Sequence, residues 1–132
     1  MSGEGHRVQV RWRDLDGLGH VNNNVVLTYL EEGRDAFLER RGIGRVEYVV
    51  GRCAIEFLAE IEPEQKWVTA ECSVSELGRS SITTSERLLD DAGAVLVEAT
   101  VGIVLWDSER RGPRPITDEE RAALSSPEEV HA

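Results

Sequence analysis

The chain has few cysteines and no long hydrophobic run. Cys53 and Cys72 form no Cys-x-x-Cys motif, so we expect two buried free thiols in a reducing compartment rather than a disulfide. The Cys and His residues supply no four-ligand set, which predicts no structural zinc site. No run approaches the ~20 apolar residues of a membrane span, and the N-terminus has no secretory pattern. We therefore expect a cytoplasmic protein that does not associate with membranes.

Basic residues are also scarce. The 132 residues include 15 Lys and Arg against 25 Asp and Glu, for a net charge of −10. A chain this acidic is not expected to bind nucleic acid or an anionic membrane surface. Its length and its 40% of hydrophobic residues are sufficient for a buried core. Because no linker, repeat or low-complexity segment interrupts the sequence, residues 1–132 are predicted to form one domain.

Hydrophobic periodicity predicts one long helix among five strands. Apolar residues recur at helical spacing for about 18 residues from Asn23, with Asn22 or Asn23 as N-cap and Gly42 at the end. Runs and alternations of apolar residues predict strands at 6–13, 46–59, 65–77, 79–89 and 94–106, with a bend near Gly51. A capping box at Thr117 predicts a short helix over about 117–124, followed by a frayed tail at 125–132.

The order β-α-β-β-β-β leaves one helix and one sheet to bury each other. We therefore predict an α+β fold, in which a strongly curved five-stranded antiparallel sheet wraps around one long central helix. One helix covers only one face of the sheet, so we also expect a homo-oligomer. The long strand at 94–106 is expected to pair or pack across its two-fold axis.

Residues 12–24, WRDLDGLGHVNNN, concentrate the polar chemistry of the chain. Two carboxylates, two glycines, a histidine and three amides lie between a strand and a helix. Backbone N–H groups at such a junction can bind a developing oxyanion, and a carboxylate before the helix can act as base or nucleophile. The same residues are also compatible with a purely structural role, capping the helix and shaping a turn.

Two other functional interpretations fit this segment poorly. Its DLDG at 14–17 is similar to the start of a haloacid-dehalogenase phosphatase motif, but that motif follows a buried apolar strand and continues with Thr. Here RWR precedes, and Leu18 follows. A calcium loop would need more oxygen ligands and a Glu at the twelfth position, where Val25 stands. We therefore expect no metal site in the segment.

The pattern Asp-x-Asp-x-x-Gly-His-Val-Asn-Asn at 14–23 resembles the 4-hydroxybenzoyl-CoA thioesterase-like branch of the hotdog-fold acyl-CoA thioesterases. It also looks like the equivalent stretch of plant acyl-ACP thioesterases. Tyr29, Glu31 and Arg34 continue the similarity, and the element order extends it over nearly the whole chain. The resemblance implies a hotdog fold and hydrolysis of an acyl-CoA or acyl carrier protein thioester. It implies a homodimer or homotetramer, with no cofactor and no metal.

The resemblance also implies roles for individual residues. Asp16 takes the position of the catalytic carboxylate, as nucleophile or general base, and the backbone N–H near Asn23 polarises the thioester carbonyl. His20 falls where the plant enzymes have an active-site histidine. Gly19 and Asn22 join them as candidate substrate-binding residues at the start of the helix.

Further candidates lie outside this segment. Arg79, Ser80 and Ser81 resemble the turn between the family's middle strands and are candidates for contact with the CoA phosphates. Two positions depart from the pattern: Val26 stands where many relatives have Tyr, and Leu18 where the plant enzymes have Asn. A His–Asn relay is therefore not implied here.

Remaining polar residues are expected to be structural. Asp14 is predicted to close a turn, and Glu31 with Arg34 to form an ion pair or a dimer contact. Two alternative functions stay open: a non-catalytic acyl-CoA-binding hotdog protein and a hotdog enoyl-CoA hydratase. The hydratase pattern Asp-x-Asn-Pro-x-His places His five residues after Asp, whereas His20 follows Asp16 by four.

Overall fold

The computed structural model describes residues 4–62 and 64–125. Within that part the main elements follow one another as β1 (Glu4–Gln9), α1 (Asn23–Glu39), β2 (Tyr48–Phe57), β3 (Trp67–Leu77), β4 (Ser81–Leu89), β5 (Val95–Asp107), β6 (Gly112–Pro113) and α2 (Asp118–Ser125). Short 3-10 turns at Trp12–Asp14 and Arg45–Glu47 precede α1 and β2. The predicted tail lies outside the described residues, apart from Ser125, which ends α2.

The five main strands form one curled antiparallel sheet in the order β1-β3-β4-β5-β2, and the short β6 pairs with β5. The helix α1 packs against β1, β3 and β4. The strand β2 stands at one end of the strand order and therefore has a free edge. This arrangement confirms the predicted hotdog fold. It excludes edge pairing of β5 between subunits, because β5 is hydrogen-bonded to β4 on one side and to β2 on the other. Packing of β5 across a two-fold axis stays a prediction.

The helix α1 lies close to the sheet because Gly33 faces β3. A Cβ atom added at Gly33 would lie 2.6 Å from the Cβ of Ala70 and 3.0 Å from its carbonyl oxygen. Around this contact the apolar stripe of α1, including Tyr29, Leu30 and Leu38, is buried against the sheet. The helix ends before Gly42, whose φ of +84° turns the chain away.

The first strand is shorter than predicted, ending at Gln9 instead of Arg13. The backbone N–H of Arg11 donates a hydrogen bond to Asp14 Oδ2 at 2.9 Å, which curls residues 12–14 into a 3-10 turn. Trp12 is consequently 87% exposed and does not continue the buried face of β1. Sequence alternation alone missed this turn because a side chain closes it.

Other local predictions are confirmed. The pairing register of β2 with β5 shifts between Val50 and Arg52, which is the bend predicted near Gly51. The capping box of α2 is present, with Thr117 Oγ1 accepting from the Glu120 N–H at 3.1 Å and Glu120 Oε1 accepting from the Thr117 N–H at 2.9 Å. The two-residue strand β6 was not predicted, because it is too short to show a pattern.

A buried ion pair joins α1 to the sheet. Arg34 donates from Nε to Glu86 Oε2 at 2.8 Å and from Nη2 to Oε1 at 3.1 Å, and Thr84 Oγ1 donates to Oε2 at 2.6 Å. Burial lowers the pKa of Arg34, but the hydrogen bond and charge of Glu86 outweigh it and raise that pKa above its usual value. The predicted Glu31–Arg34 pair is therefore wrong, since the Arg34 side chain turns inward rather than along the helix surface.

The two cysteines differ in exposure. Cys72 on β3 is buried as predicted, whereas Cys53 on β2 is exposed. Cys53 lies opposite Val101 in the pairing of β2 with β5, so its side chain shares the face of the sheet that α1 covers further along. The helix contacts the start of β2, where the Tyr48 hydroxyl donates to Asp35 Oδ1, and Cys53 further along the strand is left exposed in one copy of the chain.

Candidate active site

The loop between the 3-10 turn and α1 is closed by its own backbone and by Asp16. The Asp16 N–H donates to the carbonyl of His20 at 2.8 Å, and the Gly19 N–H donates to the carbonyl of Asp16 at 3.0 Å. Gly19 has a φ of +81°, a conformation that glycine adopts without strain. Asp16 Oδ1 accepts from the N–H groups of Leu18 and His20 at 2.9 and 3.3 Å. The second oxygen, Oδ2, makes no hydrogen bond within the described part of the chain.

Asp14 lies only two residues earlier but is buried, and one of its oxygens holds two close donors. Its Oδ2 accepts from the Arg11 N–H and from the Tyr29 hydroxyl, the latter at 2.5 Å. Its carbonyl accepts from the Asn22 N–H at 3.0 Å. Burial raises the pKa of Asp14, but the hydrogen bonds from Tyr29 and Arg11 outweigh it and hold that pKa below its usual value. Asp14 thus shapes the loop, as predicted, and anchors it to α1.

The N-cap of α1 leaves one backbone donor of the first turn unused. Asn22 Oδ1 accepts from the Asn24 N–H at 2.8 Å, and its carbonyl accepts from the N–H groups of Val25 and Val26. The N–H of Asn23 has no protein acceptor among the residues that the structure describes. A free N–H at a helix N-terminus, aligned with the helix dipole, is suited to bind an anionic oxygen.

A cavity of about 560 Å³ opens at this end of α1. Four of the predicted site residues line it together: Asp16, His20, Asn22 and Asn23. The opposite wall comes from residues 57–61, the end of β2 and the segment that follows it. That segment is held in place because the Val21 N–H donates to the carbonyl of Ile61, and the N–H groups of Leu58 and Ala59 donate to the carbonyl of Leu96.

The wall that follows β2 brings a carboxylate into the site that the sequence analysis missed. Glu60 Oε2 lies 3.3 Å from Nε2 of His20, and both residues line the cavity. A carboxylate on one ring nitrogen orients the imidazole and favours the tautomer that leaves Nδ1 as proton acceptor. Glu60 lies 40 positions after His20 in the sequence, so no local pattern could have linked them.

The inner part of the cavity is apolar. Val21, Val26, Ile61 and Val97 line it, and each of these side chains is buried. They come from the loop, the helix, the post-β2 segment and β5, so the whole hotdog scaffold shapes this space. A binding region with apolar walls and a few polar groups at one end is typical of a small-molecule site.

The remaining predicted residues do not meet at this cavity. Gly19 shapes the loop but does not line the cavity. Arg79, Ser80 and Ser81 lie in the β3–β4 turn, where the carbonyl of Arg79 accepts from Ile116 and that of Ser80 from Leu105. The loop of Asp16 lies near the opposite end of β3, and the length of that strand separates them by about 30 Å.

Among residues 4–62 and 64–125, no group of three or more His, Cys, Asp and Glu side chains is arranged to hold a metal ion. No helix of that part is long and apolar enough to cross a bilayer.

Solved structures that resemble this one include thioesterases. A Thermus thermophilus thioesterase, crystallised with coenzyme A and Zn, is 29% identical, with a TM-score of 0.82 over 91% of this chain and 95% of that one. The PA2801 protein of Pseudomonas aeruginosa is 30% identical, with a TM-score of 0.83 over 94% and 99% of the two chains. A 1,4-dihydroxy-2-naphthoyl-CoA thioesterase from Synechocystis is 15% identical with a TM-score of 0.79 over 92% and 94%, a likeness of fold alone.

The sequence itself gives the same assignment. No curated protein matches the chain. The profile of the thioesterase-like superfamily, however, matches residues 10–125, which include the loop, α1, strands β2 to β6 and α2. The resemblance noted from the Asp-to-Asn motif is thereby confirmed. The chain therefore belongs to the thioesterase-like superfamily and is a thioester hydrolase.

Proposed function

We propose that the protein hydrolyses an acyl-CoA thioester to the free acid and CoA at the cavity beside the N-terminus of α1. The observation that carries this proposal is the pairing of two groups in one cavity: the Asp16 carboxylate, with Oδ2 free, and the unused N–H of Asn23. Thioester hydrolysis needs a base or nucleophile next to a donor for the carbonyl oxygen, and these two groups supply both.

In this site the thioester carbonyl oxygen accepts from the Asn23 N–H, where the helix dipole stabilises the developing oxyanion. By one route Asp16 Oδ2 takes a proton from water as the water oxygen attacks the carbonyl carbon. The C–S bond then breaks, and the departing sulfur takes up a proton. By the other route Asp16 attacks the carbon itself, thiolate leaves, and water hydrolyses the mixed anhydride. Both routes give the same products.

His20 supports this chemistry rather than replacing Asp16. Its backbone N–H binds Asp16 Oδ1, and its ring is held by Glu60. His20 thus connects the two carboxylates of the cavity, one through its main chain and one through its side chain. This arrangement suits a residue that orients Asp16 and moves protons near it.

The oligomeric state follows from the free edge of β2. This ten-residue strand has no proline or lysine to block pairing, and Val50 and Phe57 are 48% and 44% exposed. We propose that two copies join through β2, which would cover these side chains and Cys53. Because Arg79–Ser81 lie about 30 Å of strand away from Asp16 in one copy, their contact with CoA phosphates requires the turn of another copy.

The activity is tested by incubating the protein with a panel of acyl-CoA and acyl carrier protein thioesters and detecting free thiol. Steady release from at least one acyl-CoA supports the proposal. Tight acyl-CoA binding with no thiol release would instead favour the non-catalytic alternative. Hydration of an enoyl-CoA, detected as a loss of its absorbance without thiol release, would favour the hydratase.

The β2 interface is tested by light scattering, where we expect at least twice the 14.7 kDa chain mass. Val50→Lys, at an exposed position of β2, should shift the protein toward monomer and speed the reaction of Cys53 with a thiol reagent. Val46→Lys, at an exposed residue before β2, is the matched control and should change neither. A wild-type monomer at micromolar concentration would contradict the proposed interface.

A further inference from the structure

The ionisable groups that line the cavity are two carboxylates and one imidazole. They are Asp16, Glu60 and His20, and no Lys or Arg among the described residues joins them. Asp16 serves the reaction, but Glu60 contributes a second negative charge on the facing wall. The carboxylates therefore outnumber the groups in the lining that can carry a positive charge, and both lie in the cavity proposed for the reacting carbonyl.

We propose that this charge makes the site selective for acyl groups without a carboxylate, and that Glu60 is a specificity-determining residue. The proposal rests on the proposed thioesterase function. The substrate class is therefore the CoA thioesters of neutral acyl groups, discriminated from those of dicarboxylic acids.

The apolar interior of the cavity offers no group that would compensate a bound carboxylate, and in the proposed reaction the unused Asn23 N–H is taken by the thioester carbonyl oxygen. Val21, Val26, Ile61 and Val97 are apolar and 1–5% exposed, so a carboxylate placed among them loses water without gaining a hydrogen bond. The amide oxygen of Asn22 is an acceptor already engaged in the N-cap. A neutral acyl chain, in contrast, gains from burial against the same side chains.

The mouth of the cavity is no more favourable to a negative acyl group. The Glu60 side chain is 63% exposed, so its field is partly screened by solvent, and Leu18 beside it is apolar and 80% exposed. Two like charges about 6 Å apart at the dielectric constant of a protein surface disfavour binding on the order of 100-fold.

The charges of CoA itself escape this effect. Its phosphates stand at the far end of the uncharged pantetheine arm, where salt screens them from Asp16 and Glu60. The discrimination therefore acts on the acyl end of the substrate. This explains how an acidic cavity can serve a substrate whose other end is strongly anionic.

The test compares butyryl-CoA with succinyl-CoA, which have four-carbon acyl groups and differ by a terminal carboxylate. We expect kcat/KM for butyryl-CoA to exceed that for succinyl-CoA on the order of 100-fold at low salt. Glu60→Gln should reduce this ratio about tenfold, whatever it does to either rate alone. Leu18→Lys, which adds a cation at the mouth, should also reduce the ratio, whereas the matched control Leu18→Met should leave it unchanged.

Binding is measured in parallel by calorimetry, using wild-type protein and the ketone analogues of both substrates, in which a methylene replaces the thioester sulfur. Tighter binding of the butyryl analogue supports the selectivity even where turnover is absent. Equal affinity and equal kcat/KM for the two ligands, or a ratio unmoved by Glu60→Gln and Leu18→Lys, would overturn it. Failure of the proposed function is distinct, because it would appear as absent thiol release from every thioester.

Discussion

At the N-terminal end of α1, Asp16, His20 and Glu60 meet in a cavity open to solvent, whereas at the middle of the helix Arg34 meets Glu86 out of reach of water. The buried Arg34–Glu86 pair is neutral overall, and its two side chains hydrogen-bond each other. The cavity cluster carries uncompensated negative charge and an unused oxygen. The contrast separates charges that hold the fold together from charges kept accessible for chemistry.

The largest loss of activity is expected from Asp16→Asn, which tests whether the cavity carboxylate is kept for chemistry. The amide is nearly isosteric but serves neither as base nor as good nucleophile, so kcat should fall about 10²- to 10⁴-fold while circular dichroism is unchanged. Thiol release measures the loss. Asp91→Asn, at an exposed turn carboxylate, is the control and should retain full activity. Turnover near the wild-type rate in Asp16→Asn would remove Asp16 from the mechanism.

Changes to the buried Arg34–Glu86 pair should lower the stability of the fold rather than the rate of hydrolysis. Glu86→Ala leaves the buried Arg34 guanidinium without its partner, which should lower the free energy of unfolding by about 3–5 kcal/mol. Urea unfolding followed by circular dichroism measures it. The double variant Arg34→Met with Glu86→Leu removes both charges and should recover most of the loss. A loss below about 1 kcal/mol in Glu86→Ala would show that the pair contributes little.

Asp14 lies between the two extremes, since it is buried but belongs to the active-site loop. Tyr29→Phe removes the hydroxyl that donates to Asp14, and it should lower the free energy of unfolding by about 1–3 kcal/mol at pH 7. Because the folded-state pKa of Asp14 lies below its ordinary value of 3.8, its stabilisation is complete above that pH and is lost as pH falls through the lower, folded-state pKa.

Urea titrations at several pH values check this predicted dependence of stability on pH. The difference between wild type and Tyr29→Phe should shrink as pH falls below about 3.8. Asp14→Asn, which cannot titrate, should show a loss of stability with less dependence on acid pH. A difference that grows on acidification would contradict the role assigned to the Asp14 carboxylate. Because Asp14→Asn is expected to destabilise the active-site loop, it is unsuitable as an activity control for Asp16.

The smallest effect is expected at His20. His20→Ala should lower kcat about tenfold, less than Asp16→Asn does, because the His20 ring supports the site while Asp16 reacts. The backbone N–H that binds Asp16 Oδ1 survives the substitution. A loss equal to that of Asp16→Asn, with circular dichroism unchanged, would place His20 in the chemical step and favour a paired acid–base mechanism.

Local interactions explain which parts of the molecule the sequence predicted. The loop of Asp16 is closed by bonds to Leu18 and His20, and α1 is capped by Asn22 through Asn24. Each of these contacts spans four residues or fewer, so spacing along the chain reveals them. Strands β3 and β5 followed from the alternation of buried and exposed residues for the same reason.

Contacts between distant residues were missed or assigned wrongly. Arg34 was paired with Glu31, three positions away, but its partner Glu86 is 52 positions away. Glu60 reaches His20 only because β2 crosses to the edge of the sheet and the chain then returns to Val21. The strand order, which the sequence does not display, also decided that β2 and not β5 has a free edge.

The backbone hydrogen bond from Val21 to Ile61 has a consequence for how activity appears during folding. The loop and the facing wall of the cavity are separated by about 40 residues of chain, and the pairing of β1 with β3 joins residues as far apart as Val8 and Val68. Closing such long loops is slow compared with forming α1. In a refolding experiment, helical signal should therefore return before thiol release does, since the catalytic space exists only after these distant segments have met.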